Sequence, residues 1–310
     1  MTFYAVRRLA QAVLALAVIA ALVFSVQTFF LWHVLHLSPA AALVYPDDTP
    51  QNIASMNRAL GLTQPIPVQF VLWIKSLATG GGFAATFTAY LPPTLELMVL
   101  GILIAVLAAI VLAMAQTRCA GRWIDGLIDA FIGLTAVVPS FWLATLSLFL
   151  FSMESSVFPG VGYPTPGHGF LTWLYYSILP ATILGLSIMG PWTRTLKGSL
   201  ADAASSDYVR TARAKGAPEG RILTRHMFRN SVLPLVTLIG LSLPTLLNTV
   251  IVLEVVYSIP GAGQDFYQSL TNLFFDNATT VALILAVVTV LGNVIADLAY
   301  GVIDPRITYT

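Results

Sequence analysis

Residues 207–237 read DYVRTARAKGAPEGRILTRHMFRNSVLPLVT, a basic, water-seeking stretch set between long apolar runs. Counted inward from Arg194, this region carries Arg194, Lys197, Arg210, Arg213, Lys215, Arg221, Arg225 and Arg229, or 8 of the chain's 15 Lys and Arg residues. In an otherwise apolar chain, that crowding marks a loop on the cytoplasmic side of a membrane. The order of residues says more than the charge. An Ala-rich helical turn, 210–215, runs into Gly216, and a second basic helical stretch ends at Leu233-Pro234.

Working outward, the composition agrees. Of 310 residues 57% are hydrophobic and 9% charged, with a mean hydropathy of +0.83. A soluble domain has about 25% charged residues, so an integral membrane protein is expected. Apolar runs of about 20 residues point to helices; strands of a β-barrel would alternate over about 10. A net charge of +1 gives no reason to expect nucleic-acid binding. The single cysteine, Cys119, excludes an internal disulfide and any multi-cysteine metal site. His33, His36, His168 and His226 lack metal-ligand spacing, so no metal is assigned. The first apolar run follows Arg7-Arg8 and has no small-x-small cleavage site, so it reads as a retained first helix.

The apolar runs fall at 9–31, 94–116, 126–152, 171–192, 232–256 and 280–303. Each is long enough for a hydrocarbon core of about 30 Å at 1.5 Å per residue. With the N-terminus inside, 13 of the 15 cations are cytoplasmic, and Arg58 and Lys75 alone lie outside. The positive-inside rule therefore selects six spans with both ends cytoplasmic. Two parts follow: 1–90, the first span with an outer segment, and 91–310, a five-span core with a cytoplasmic loop at about 193–231. In the outer segment Phe70, Trp73, Ile74 and Leu77 share one helical face, which suits a helix on the membrane surface or against the bundle, and Gly80-Gly81-Gly82 breaks it. A second outer helix is expected over 264–275, from Phe266, Leu270, Leu273 and Phe274. Trp32, Trp173, Tyr175, Tyr257 and Tyr300 read as interfacial aromatics.

Glu254 and Asp297 are carboxylates within or near apolar spans, where a charge costs about 2.5–3.5 kcal/mol and so faces a cavity or a partner. Each is either a translocation-path or gate residue or a structural hydrogen-bonding group, and Asn248 and Asn293 could join either seam. Glu96, just after Pro93-Thr94, reads as an acid favoured at a helix N-terminus. Asp304-Pro305-Arg306 reads as a helix stop with a headgroup anchor. No G-x-x-x-x-G-K-[ST] stretch occurs, so no P-loop can form. No catalytic constellation occurs either, so the chain is not expected to be an enzyme. The loop admits two readings: an ordinary basic inner loop, or a short helix that seats on a partner, with Thr211, Ala212 and Ala214 small enough for close approach and Gly216 making the turn.

Several motifs taken together favour the second. Asp207–Gly216 with Arg225-His226 and Leu233-Pro234, Leu91-Pro92-Pro93-Thr94-Leu95-Glu96-Leu97, Glu254–Gly263 and Asp297–Ile307 closely resemble the dipeptide/oligopeptide/nickel branch of ABC-importer membrane subunits. Arg210 stands where the broader EAA pattern has Glu, as in that branch. The resemblance implies an all-α type I importer permease of six transmembrane helices in a bacterial or archaeal plasma membrane, carrying di- or oligopeptides, with nickel and oligosaccharides as cargo of relatives. It implies a homologous second permease, two cytoplasmic ATPases holding ATP and Mg, and an extracytoplasmic solute-binding protein, with no cofactor on this chain. It implies that Tyr208, Arg210, Thr211, Ala212, Arg213, Ala214, Lys215 and Gly216 form the ATPase-coupling element. An ion-coupled secondary transporter, the reading from another class, would need more intramembrane acids and an inverted repeat; neither is evident.

The charge count makes one direct forecast. A reporter fused after Thr310 will be cytoplasmic and one fused near Thr49 extracytoplasmic; labelling of residues 40–90 from the cytoplasm would overturn the six-span topology.

Overall fold

A computed structural model describes residues 2–30, 49–59, 61–164 and 169–303, and among these there is no strand. His33, His36, His168, Trp32 and Asp304-Pro305-Arg306 lie outside the described residues. The helices are α1 (Thr2–Phe29), α2 (Pro50–Ala59), α3 (Ile66–Thr79), α4 (Gly82–Arg118), α5 (Trp123–Val137) and α6 (Ser140–Leu148), which widens into a π turn over Phe149–Glu154. Then come α7 (Phe170–Ala204), α8 (Asp207–Ala214), α9 (219–231), α10 (Leu233–Leu241), α11 (Leu243–Tyr257), α12 (Ala262–Thr271) and α13 (Phe275–Ile303).

Four of these, α1, α4, α7 and α13, are long and apolar enough to cross a membrane singly. The other two expected spans are each a bent pair, so that six passes result when each pair counts once. The run expected to be one helix over 126–152 is broken between α5 and α6 by 98°. The cause is Pro139, which has no N–H to continue α5 and drives Val138 to an extended conformation, ψ 125°. The run at 232–256 bends by 55° between α10 and α11, at Ser242 just before Pro244. Ser242 Oγ there accepts a bond from Trp192 Nε1 of α7 at 3.1 Å, which pins the bend.

The chain forms two compact units. In one, 2–94 with 260–291, α3 lies on α1, with the Phe70 and Trp73 rings each 5.4 Å from that of Phe24. Gly81, at φ +71°, separates α3 from α4 as the glycine run forecasts. The second outer helix ends at Thr271, short of the expected 275. Leu273 turns left-handed at φ 62° and Phe274 N–H closes on the Ser269 carbonyl at 2.7 Å, so Leu273 and Phe274 fall outside the helix.

In the other unit, 95–259 with the chain from Gly292, α4 and α7 meet through reciprocal glycines. A Cβ on Gly101 would lie 2.7 Å from Leu184 Cγ, and one on Gly185 3.2 Å from the Gly101 carbonyl oxygen. Glycine is what lets two helix backbones approach so closely. Polar clusters latch the same pair on either side of this crossing. On one side, Glu96 Oε2 accepts from Trp173 Nε1 at 2.7 Å and from the Tyr163 hydroxyl. On the other, Gln116 of α4 and Lys197 of α7 meet the acids of α5. Glu96 and Gln116 stand about 30 Å apart along α4, and Trp173 and Lys197 about 36 Å apart along α7, at 1.5 Å per residue. The latches thus bracket a hydrocarbon core of about 30 Å. This corrects the reading of Glu96 as a helix-start acid. The helix runs on through Pro92 and Pro93, so Glu96 sits fourteen residues inside it and its work is tertiary.

Substituting Gly101 by Ala will destabilise the purified protein by about 1–3 kcal/mol, the usual range for overpacking. Gly126→Ala, at an exposed helical position with nothing within 4 Å of the added carbon, will not. Thermal unfolding in detergent checks both, and equal melting of the two variants would refute the close crossing.

Candidate functional site

The basic loop folds as α8, a single turn, and α9. Periodicity shapes α8: Val209 and Ala212, three apart, point inward at 0% and 8% exposure, against the 222–227 turn and the end of α7. Tyr208, Arg210, Thr211, Arg213, Ala214, Lys215 and Gly216 are exposed. Ala212, expected on the surface offered to a partner, is therefore a packing residue of the loop itself. Its smallness serves the contact beneath.

The end of α8 is a Schellman turn: Ala217 N–H reaches the Ala212 carbonyl at 3.2 Å and Gly216 N–H the Arg213 carbonyl at 2.9 Å. Gly216 has φ +75°, and a Cβ there would meet nothing within 4 Å. Within this chain the glycine is required by backbone conformation, since L side chains resist that region. Arg213 forks onto Glu219, Nε to Oε1 at 2.8 Å and Nη2 to Oε2 at 3.3 Å, bracing the turn from outside. That bond holds the Glu219 carboxyl below its ordinary value and raises the Arg213 guanidinium. Ser231 Oγ donates to the Ser199 carbonyl at 2.9 Å, fastening the end of α9 to α7.

Beneath the loop lies a cluster that the sequence reading passed over. Gln116, wholly buried, donates through Nε2 to Asp125 Oδ1 at 3.0 Å and Asp129 Oδ1 at 2.8 Å. Lys197 Nζ reaches Asp125 Oδ1 at 2.7 Å and Asp129 Oδ2 at 3.3 Å. Three helices, α4, α5 and α7, are joined by one shared proton-donor set, and Lys197 serves this junction instead of the basic surface. The available signal was Asp125 and Asp129 at i, i+4, two acids on one face at the edge of an apolar run.

The proposed path residues do not converge on one surface. Glu254 is completely buried on α11, Asn248 on the same helix is exposed, and Asp297 on α13 is half-buried. Six residues at 100° each set Asn248 about 120° from Glu254 around the helix. Asn293 is exposed on α13. The Glu254 carbonyl receives the Ile259 N–H at 2.9 Å, just past Ser258, which is left-handed at φ 53°. Among the described residues no group of three His, Cys, Asp or Glu could hold a metal.

The family described as binding-protein-dependent transport system inner membrane component matches residues 101–309, and the N-terminal part of such membrane components matches 1–96. The chain is 32% identical to the dipeptide transport system permease protein of Alkalihalophilus pseudofirmus, over 100% of both chains. It is also 32% identical to the oligopeptide transport system permease protein of Bacillus subtilis, over 80% of this chain and 83% of that one. Among solved structures, an amino acid ABC transporter crystallised with histidines superposes with a TM-score of 0.52 at 15% identity, covering 74% of this chain and 97% of that one; it shares the fold.

Replacing Lys197 with Met will leave two carboxylates facing Gln116 without a cation and cost about 1–2 kcal/mol, less than a fully buried pair because the groups are partly exposed. In a double-mutant cycle with Asp125→Asn the losses will be less than additive. Strict additivity in detergent unfolding would dissolve the cluster as a unit.

Proposed function

Because the chain belongs to the family of binding-protein-dependent transport system inner membrane components, we propose that it is the permease subunit of an ATP-driven importer of di- and oligopeptides. The observation that carries this reading is whole-length likeness to a dipeptide permease, joined to an exposed helix-and-glycine element at 207–216. By this reading the chain has its ends and basic loop in the cytoplasm of a bacterial or archaeal cell. It pairs with a second, homologous permease. Two cytoplasmic ATPases carry the ATP and Mg, and an extracytoplasmic binding protein delivers the peptide.

The mechanism assigned to the chain is mechanical. The outward residues of α8, Tyr208, Arg210, Thr211, Arg213, Ala214 and Lys215, seat on the ATPase, and Gly216 makes the turn that sets their angle. The inward residues Val209 and Ala212 pass the displacement to α9 and α7, since packed side chains transmit strain. Lys197 and Gln116 then link α7 with α4 and α5, so movement of the loop reaches three helices together. ATP binding shifts the bundle between outward- and inward-open states only as far as the ATPase prefers one loop position over the other. Glu254, enclosed next to the Ser258 turn, is assigned to the outer gate, and Asn248 and Asp297 to the walls of the path.

Cysteines at Thr211 and Ala214 will cross-link to the ATPase in the assembled transporter, and one at Ala212 will not. Gly216→Val will abolish peptide uptake in proteoliposomes, while Gly216→Asn, whose side chain tolerates the left-handed region, will retain most of it. ATP-dependent uptake in the wild type with no cross-link from 208–216 would refute the coupling assignment.

A further inference from the structure

The outer cluster of Glu96, Tyr163 and Trp173 has an unused half. Both donors converge on a single oxygen, Oε2: Trp173 Nε1 at 2.7 Å and the Tyr163 hydroxyl. Trp173 Nε1 also lies 2.6 Å from the Tyr163 oxygen, which closes the triangle. Among the described residues, no donor and no cation reaches Oε1. Glu96 is exposed although it lies on a spanning helix. A carboxylate on a spanning helix turns toward water, a partner or a ligand and away from lipid.

Its depth and surroundings narrow the choice. Glu96 is 22 residues from Arg118, about 33 Å along α4, which puts it at the end of the hydrocarbon core far from the basic loop. Three separate pieces of chain build the site: α4, the segment before α7, and the start of α7. Its neutral members are aromatic, with Phe170 5.5 Å from Trp173. Burial, and then the neighbouring carboxylate, push the Tyr163 hydroxyl well above its ordinary value, so it remains a donor. A carboxylate with one oxygen fixed and one open, beside aromatic rings, is the chemistry that captures an ammonium group.

We propose that Glu96 Oε1, held in place by Tyr163 and Trp173, receives the α-ammonium of the peptide cargo at the outer mouth of the permease. This rests on the import reading above and adds to it that the cargo must have a free amino terminus at this subunit. Tyr163 and Trp173 act as positioning residues, through Oε2. A basic side chain of the second permease could supply the same charge, and the test separates the two.

The assembled transporter in proteoliposomes is exposed to a photoreactive dipeptide with a free N-terminus or to its N-acetyl form, and labelled residues are mapped. The free-amine peptide will label 163–173 about ten-fold more than the acetylated one, the factor expected for one charge-assisted bond. Glu96→Gln will abolish that difference while the two permeases still co-purify, and Glu96→Asp will keep part of it. Tyr163→Phe, which leaves the charge, will reduce labelling by a smaller factor. Equal labelling by both peptides in a wild type that imports the free dipeptide overturns the proposal alone. Loss of the second permease from the Glu96→Gln complex also overturns it, assigning the carboxylate to a subunit contact. A wild type that imports no peptide overturns the import reading, and this inference with it.

Discussion

The close crossing of α4 and α7 is the constraint on which the rest of the main unit depends. In lipid the hydrophobic effect gives little reason for two apolar helices to associate, so contact must come from dense packing and from polar bonds. Gly101 and Gly185 provide the packing, each lying where a Cβ would strike the opposite helix. Once α4 and α7 are that close, side chains some 30 Å apart on the same two helices fall within bonding reach at both ends. The glycine pair sets the distance, and the polar latches fix rotation and register.

The two latches differ in kind. The inner one sets its two carboxylates against an ammonium and a buried amide, and it ties α5 into the pair. It is well suited to carrying force. The outer one carries a carboxylate without a cation among the described residues, anchored by neutral aromatic donors, and is suited to meeting charge from outside. Each latch carries one uncompensated negative charge, but only the inner one holds a cation among the described residues.

The basic loop shows how a short helix is kept in place without length. Eight residues are too few for a stable isolated helix. Two inward residues, a Schellman turn around Gly216 and the Arg213–Glu219 fork hold α8 instead. Of its outward residues, Tyr208, Ala214 and Lys215 take no part in that bracing. The bends at Pro139 and Ser242 divide two passes into shorter pieces, and the Trp192 bond to Ser242 fixes the second of them.

The sequence by itself determined the membrane class, the number and order of apolar runs, the crowding of basic residues into one loop and the glycine turn at 216. Those properties follow from local quantities: transfer free energy summed over about 20 residues, charge counted per loop, and the φ that only glycine adopts readily. It also placed α3 and its glycine break, because amphipathic spacing is local. Tertiary structure alone decided which way Ala212 faces, that Glu96 belongs inside a helix, and that Gln116, Asp125, Asp129 and Lys197 meet. Proline before an apolar run reads equally as a helix start or as a kink within one, and the neighbours that choose between these are distant in the chain. Small residues at 101 and 185 are unremarkable among so many apolar positions until the two helices are brought together. What residues do locally is written in their order; whom they touch depends on a crossing distance that no single segment specifies.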